Sequence, residues 1–284
     1  MPRMFAGYRP MTTRTTNVPA GATDCHQHVF GPYARFPLAS NRKYTPPEAL
    51  AADYLAVAQR LGLERFVVVQ PSVFGTDNRC SLAAAATMGE DRSRVVAVIH
   101  DDTDDSSLRA LDAASVRAVR VNAFEIDTGL PERLRRVADR IAPLGWHLEL
   151  YTRGENLPAV ATHATTLPVP LVLDHMGGVP TSRGIDHPEF IAVLRILAAG
   201  GWVKLCGYSV SAGPPFVDLL APARALLAAA PERCVWGSNW PHPTPSGPRE
   251  IDEAEMLALL AEWCGDATLL RHVLVDNPAR LYGL

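Results

Sequence analysis

The chain has 284 residues, 48% of them hydrophobic and 20% charged, with a formal net charge of −3. That balance offers no basic excess to hold a phosphate backbone, which argues against nucleic acid as a partner. No apolar run approaches the roughly 20 residues needed to span a bilayer, so no membrane partner is expected either. Five cysteines (Cys25, Cys80, Cys206, Cys234, Cys264) lie far apart without a CxxC pair, which implies neither a disulfide framework nor a zinc knuckle and suits a reducing cytoplasm.

In chain order, residues 1–22 are rich in Thr, Arg and Pro and lack the apolar stretch of a signal peptide; they read as an extended N-terminal arm. From Thr23 onward, short β-branched runs alternate with longer amphipathic stretches. The runs are Thr23 to Val29, Phe66 to Pro71, Val95 to His100, Ala118 to Asn122, His147 to Tyr151, Leu171 to His175, Trp202 to Cys206 and Cys234 to Ser238. Several are almost wholly apolar, as strands covered on both faces must be. Between them, Glu48 to Leu61, Pro131 to Ile141, Phe190 to Ala199, Val217 to Ala229 and Ile251 to Trp263 carry apolar residues at helical spacing. Eight such units predict a single-domain α/β fold over residues 23–284, a (β/α)8 TIM barrel. An open doubly wound sheet would share the alternation, but no GxGxxG turn follows the first strand. A barrel places its functional side chains where strands end and loops begin.

Three such ends carry chemistry. Asp24-Cys25-His26-Gln27-His28 puts two histidines two residues apart on the first strand, facing the same way. Leu173-Asp174-His175-Met176-Gly177-Gly178 puts a third at the end of the sixth, followed by glycines that keep the loop from covering it. Trp236-Gly237-Ser238-Asn239-Trp240-Pro241-His242-Pro243 ends the eighth. Other histidines have simpler readings: His147 opens a strand at the barrel's stability face, His163, His187 and His272 fall on surface segments, and His100 and His242 belong to loop starts that border the mouth. The alternative reading of His242 is that it orders Asn239 or contacts a substrate.

From about Ala22 to Leu284 these motifs, together with Lys43-Tyr44, Gln70, Ser72, Gly75-Thr76-Asp77-Asn78, Val119-Arg120-Val121-Asn122, Tyr151, Val203-Lys204 and Asn277-Pro278-Ala279-Arg280-Leu281-Tyr282, resemble the amidohydrolase superfamily. The resembling branch contains pyrone dicarboxylate lactonases and sugar-lactone isomerases. The resemblance implies a lactone-processing enzyme in which His26, His28 and His175 surround and polarise the carbonyl, Asn239 stands at the position of the reacting group on the last strand, and Tyr44, Ser72, Arg120 and Tyr151 contact substrate oxygens. Arg120, on a buried strand, has an alternative role as an ion-pair partner of a neighbouring carboxylate such as Glu149. Arg153, just past the fifth strand, is a weaker candidate that faces water.

The chain departs from that family pattern in three places. The last-strand aspartate that takes a proton from water is here Asn239, a carboxamide with no useful basicity. Hydrolysis would then need a histidine base, His175 first among them, or the enzyme would transfer the acyl group to an internal hydroxyl as a lactone isomerase; an aspartate replaced to trap a complex is the third explanation. Arginines that hold the pyrone's carboxylates are replaced by Ile126, Gly178 and Val210, so the substrate is expected to be a smaller or less charged lactone. The ends that supply a carboxylate or carboxylated lysine, a histidine and an aspartate to zinc elsewhere in the superfamily offer Asn122, Tyr151 and Asn239, so no cofactor is expected; were zinc to bind, His26, His28 and His175 would be its ligands. Rival readings are a decarboxylase or metal-dependent hydrolase of the same superfamily and a ligand-binding protein that has lost its chemistry. A homo-oligomer is compatible with all of them.

Overall fold

The computed structural model describes residues 16–243 and 251–284. Most of the expected N-terminal arm, residues 1–15, lies outside the described residues. Eight parallel strands follow one another around the sheet in sequence order: β1 (Thr23–Gln27), β2 (Arg65–Val69), β3 (Ser93–Ala97), β4 (Val116–Ala123), β5 (His147–Thr152), β6 (Leu171–Leu173), β7 (Trp202–Leu205) and β8 (Cys234–Trp236). The ring closes where the chain leaving β8 meets β1, through Asn239 N to His26 O at 2.7 Å and His28 N to Trp240 O at 2.9 Å. This is the expected (β/α)8 barrel.

Helices α1 (Ala51–Leu61), α2 (Arg79–Met88), α3 (Asp105–Ala113), α4 (Leu130–Ile141), α5 (Leu157–Ala161), α6 (Pro188–Ala198), α7 (Leu220–Ala229) and α8 (Glu253–Cys264) separate or follow the strands. Their starts follow first-turn chemistry. Asp104 and Asp252 accept from backbone N–H groups at the starts of α3 and α8, and Pro131 and Pro188 occupy first-turn positions where their missing N–H costs nothing. The first helix begins at Ala51 rather than Glu48 because Ala49 exchanges two backbone bonds of 2.8 Å with Phe30 and is held extended. Among the described residues, no helix is long and apolar enough to cross a membrane.

The barrel interior is layered by strand alternation. Val67, Val69, Val96, Ala118, Val172, Trp202 and Val235 form a dry lower cluster, joined from the chain's end by Tyr282. Two residues after Ala118, Val172 and Trp202 come Arg120, Asp174 and Lys204, and β5 adds Glu149 two residues after His147, all buried. A further step reaches Tyr151 and Asn239. The first strand carries one residue more than its neighbour, with Asp24 beside Phe66 but Gln27 beside Val68. Such a bulge lets consecutive side chains share a face. Cys25 joins the inner apolar cluster while the next residue, His26, meets Lys204; Gln27 turns outward to Met88 of α2.

Candidate active site

His26, His28 and His175 converge at the carboxyl end of the barrel. The ring of His26 lies 5.0 Å from that of His28 and 4.8 Å from that of His175, centroid to centroid, and Tyr151 stands edge-on to His175 at 4.8 Å. Gly237 makes the approach of β8 possible, since a Cβ there would sit 2.4 Å from the Cβ of His26. The sixth strand stops at Leu173, earlier than expected, because His175 and Met176 take left-handed backbone (φ 49° and 53°). The glycines after His175 do more than leave the mouth open. Gly178 is left-handed and passes so close to β5 that a Cβ would lie 2.2 Å from the Thr152 carbonyl oxygen.

Beneath the imidazoles lies a charge cluster that the sequence reading did not assemble. Lys204 Nζ is 2.6 Å from Glu149 Oε2, 3.4 Å from Asp174 Oδ1 and 3.2 Å from His26 Nδ1. Arg120 Nε donates to Asp174 Oδ2 at 2.8 Å, and its guanidinium carbon sits 4.9 Å from the Tyr151 ring centre. Arg120 thus has an ion-pair partner, but it is Asp174 and not Glu149. Although Arg120 and Glu149 are register neighbours on β4 and β5, Glu149 is claimed by Lys204, by Tyr282 Oη at 2.8 Å and by His147 at 3.4 Å.

The charges in this layer balance, two cations against two carboxylates. Burial alone would raise Glu149 and Asp174 and lower Lys204, but their mutual attraction outweighs it, leaving both acids below and the lysine above their ordinary pKa values. The histidines respond in the opposite sense. Burial and the nearby cations hold His26 well below its usual value, His28 down to about 3, and His175 down to about 4, the last partly offset by Asp174. All three are neutral imidazoles at neutral pH.

Their hydrogen bonds distinguish them. His28 Nδ1 lies 2.7 Å from the Val69 carbonyl oxygen, which can only accept, so His28 Nε2 carries a lone pair. His175 is hydrogen-bonded by the Cys206 backbone, and among the described residues its Nδ1 has no partner. The same holds for His26 Nε2 and Asn239 Oδ1. Asn239, itself left-handed at φ 58°, donates from Nδ2 to Tyr208 Oη. His242 stacks its edge on Tyr208 at 5.0 Å, bonds Glu253 at 3.0 Å, and closes a turn on the Asn239 carbonyl at 2.8 Å, so it orders Asn239. Tyr44 is hydrogen-bonded to Ser72 and senses Arg120 and Tyr151 electrostatically, which brings the expected substrate-contact residues to one side of the mouth.

The remaining histidines are accounted for. His147 is buried against Tyr282 at the start of β5, His163 is exposed, His187 caps α6, His272 is half-buried, and exposed His100 bonds Thr76 at 2.7 Å. Arg153 is exposed and paired with Glu155 at 3.0 Å. Beside Tyr151 a cavity of about 330 Å³ opens between Phe124, Gly178, Pro180 and Val210. Its two guanidinium groups, Arg153 and Arg183, are both engaged by Glu155, and Arg183 also by Glu189.

Among the described residues, the donor atoms closest to a metal-binding arrangement are those of His26, Asp174 and His175, mutually within 4.8 Å. Asp174 takes the place expected of His28, whose Nδ1 is turned onto Val69. The set fits a divalent cation poorly, because its one carboxylate already faces Arg120 and Lys204, and a third positive centre would be repelled by both.

A family model described as Amidohydrolase matches residues 23–284, the whole barrel. The chain belongs to the amidohydrolase family. Among its curated relatives, this amidohydrolase is 38% identical over 281 residues to a 4-sulfomuconolactone hydrolase of Rhizobium radiobacter, covering 94% of this chain and 91% of that one. It is 36% identical over 279 residues to a 2-pyrone-4,6-dicarboxylate hydrolase of Comamonas testosteroni, covering 93% and 91%. It is 30% identical over 275 residues to a D-galactarolactone isomerase of Agrobacterium fabrum (strain C58), covering 94% and 92%. Two of these three are named as hydrolases and the third as a lactone isomerase.

Lys204 and Asp174 are residues to which the sequence reading gave no role, and Glu149 entered it only as a partner for Arg120. Their signal was available: each is a charged residue at an inward-facing position of an otherwise apolar strand, and such a group is stable only when paired.

Proposed function

We propose that this amidohydrolase opens a small lactone or similar ester ring by hydrolysis, without a metal, in the cytoplasm. The observation that carries the reading is the convergence of three neutral, buried imidazoles, with His26 Nε2, His175 Nδ1 and Asn239 Oδ1 without a hydrogen-bond partner among the described residues. The lactone carbonyl oxygen accepts from His26 Nε2–H. Water giving one hydrogen to Asn239 Oδ1 and the other to His175 Nδ1 attacks the carbonyl carbon, and the hydrogen facing His175 passes to Nδ1. His175 Nδ1 offers a lone pair without a partner among the described residues, and burial with the nearby cations holds this histidine at about 4. Collapse of the tetrahedral intermediate breaks the ring C–O bond, and the departing alkoxide takes that proton from His175. Arg120, Tyr44, Ser72 and Tyr151 orient the ring oxygens. All five cysteines are buried and unpaired, in keeping with a reducing compartment.

The cavity beside Tyr151 favours a substrate with at most one carboxylate, since its arginines are already matched by acids. Each charge-assisted bond a dicarboxylate fails to make there forgoes about 1.5–3 kcal/mol. A panel of γ- and δ-lactones, with the pyrone dicarboxylate included, followed by NMR with and without a chelator, tests the reading. Free hydroxy acid formed from neutral or mono-anionic lactones, undiminished by chelation, is the expected result. Ring interconversion without free acid, saturable binding without turnover, loss of activity on chelation, or equal turnover of the dicarboxylate would each overturn the corresponding part.

Asn239 sets a limit on this chemistry that one substitution can lift. In Asn239→Asp, a carboxylate would occupy the position from which Asn239 Oδ1 holds water, and a positioned general base contributes about 10²–10⁴-fold. Faster hydrolysis is expected, measured as kcat on the best lactone of the panel. An unchanged or lower kcat would mean that water activation is not what the carboxamide withholds.

A further inference from the structure

We propose that Lys204 is a positioning residue that fixes the tautomer of His26, so that the imidazole meets the substrate's carbonyl oxygen with an N–H and not with a lone pair. Lys204 is fully buried, and its Nζ faces three acceptors: Glu149 Oε2 at 2.6 Å, His26 Nδ1 at 3.2 Å and Asp174 Oδ1 at 3.4 Å. An ammonium has three hydrogens to give and nothing to accept with. Two of those hydrogens go to Glu149 and His26, and Asp174 is held as an ion-pair partner. A hydrogen on His26 Nδ1 would point at the ammonium, two donors facing each other at 3.2 Å, so Nδ1 carries the lone pair and Nε2 the hydrogen. Nε2 is the ring atom without a partner among the described residues.

The ammonium cannot easily leave that post. Glu149, its shortest contact, is clamped by Tyr282 Oη at 2.8 Å and by His147 at 3.4 Å, so a residue at the chain's carboxyl end helps to hold a lysine that sets the face of a histidine at the barrel mouth. The arrangement also contains its own alternative. Asp174 Oδ1 lies 3.3 Å from His26 Nδ1 and has no hydrogen-bond partner among the described residues. Without Lys204, the favourable state puts the hydrogen on Nδ1, donated to Asp174, and leaves Nε2 bare. The carbonyl oxygen would then meet a lone pair and lose its donor. Lys204 thus selects between two neutral forms of the same ring.

The kinetic consequence rests on the hydrolytic reading above; the tautomer does not. Nitrogen-15 NMR of histidine-labelled, ligand-free protein reads which ring nitrogen of His26 is protonated. In the wild-type protein Nε2 is expected to be protonated and Nδ1 bare; in Lys204→Met the two exchange. Lys204→Met/Glu149→Gln, which leaves no unpaired charge behind, should show the same exchange if the single variant fails to fold. On a lactone that the enzyme turns over, both variants should lose about 10²–10³-fold in kcat, the cost of one missing oxyanion donor, with KM little changed. A protonated Nδ1 in the wild-type protein, or an unchanged tautomer in the folded variant, would overturn the assignment. An exchange of tautomer in a protein that hydrolyses no lactone would sustain it while removing the proposed function.

Discussion

Replacing His175 by asparagine is expected to reduce kcat for lactone opening by about 10²–10⁴-fold, the range for a lost general base, while KM changes far less. His175 carries a lone pair on Nδ1, which has no hydrogen-bond partner among the described residues. It is held at its angle by the Tyr151 ring and the Cys206 backbone rather than by contacts that asparagine would abolish elsewhere. The sign of the pH dependence follows from its depressed pKa. A base works when unprotonated, so kcat should be flat from about pH 8 to pH 5 and fall as the pH drops through about 4. Stability has a different window. A histidine that is about 6.5 when unfolded and about 4 or 3 when folded takes up its proton first in the unfolded chain. His175 and His28 together should therefore destabilise the fold progressively as pH falls below 6.5, each by up to roughly 1.4 kcal/mol per pH unit. Rates must accordingly be read from short assays after a pH jump. A loss of under tenfold in His175→Asn, or an acid limb near 6.5 in the wild-type enzyme, would move the base to another group.

The extent to which the sequence disclosed all this depends on the kind of interaction concerned. Strand order and the barrel were legible because runs such as Phe66-Val67-Val68-Val69 can be stable only with both faces covered. Their boundaries erred by one to three residues, in places because a backbone exchange or a left-handed turn intervened, as at Ala49 and His175. The meeting of His26 and His28 followed from strand periodicity. That of His175 followed from the rule that catalytic residues gather at strand ends. Partner choice within the charge layer was not legible, because Arg120 had two carboxylates within reach and Glu149 was its register neighbour. Only the position of Lys204, two strands beyond β5, decides that Glu149 is taken and that Arg120 turns to Asp174. The bulge in β1, which points both Cys25 and His26 inward, likewise has no mark in the local sequence.

Asp174→Asn is expected to be the most destabilising single change in the site, by about 3–5 kcal/mol, the usual cost of breaking a buried ion pair from one side. Asp174 is buried between Arg120, Lys204 and His26, with contacts of 2.8, 3.4 and 3.3 Å. Amidation keeps the shape but leaves two cations facing the single carboxylate of Glu149. Urea unfolding followed by circular dichroism should show the midpoint falling with an unchanged slope, the sign of lost stability without altered exposure. A surface-like pair would lose less than about 1 kcal/mol, and a loss that small would show the layer to be hydrated. The diagnostic step is the double variant. In Arg120→Met/Asp174→Asn one charge of each sign disappears and Lys204 keeps Glu149, so the destabilisation should fall short of the sum of the single changes by about 0.5–3 kcal/mol. That shortfall is what a cluster held together by charge balance requires, and strict additivity would mean that Arg120 and Asp174 are merely adjacent.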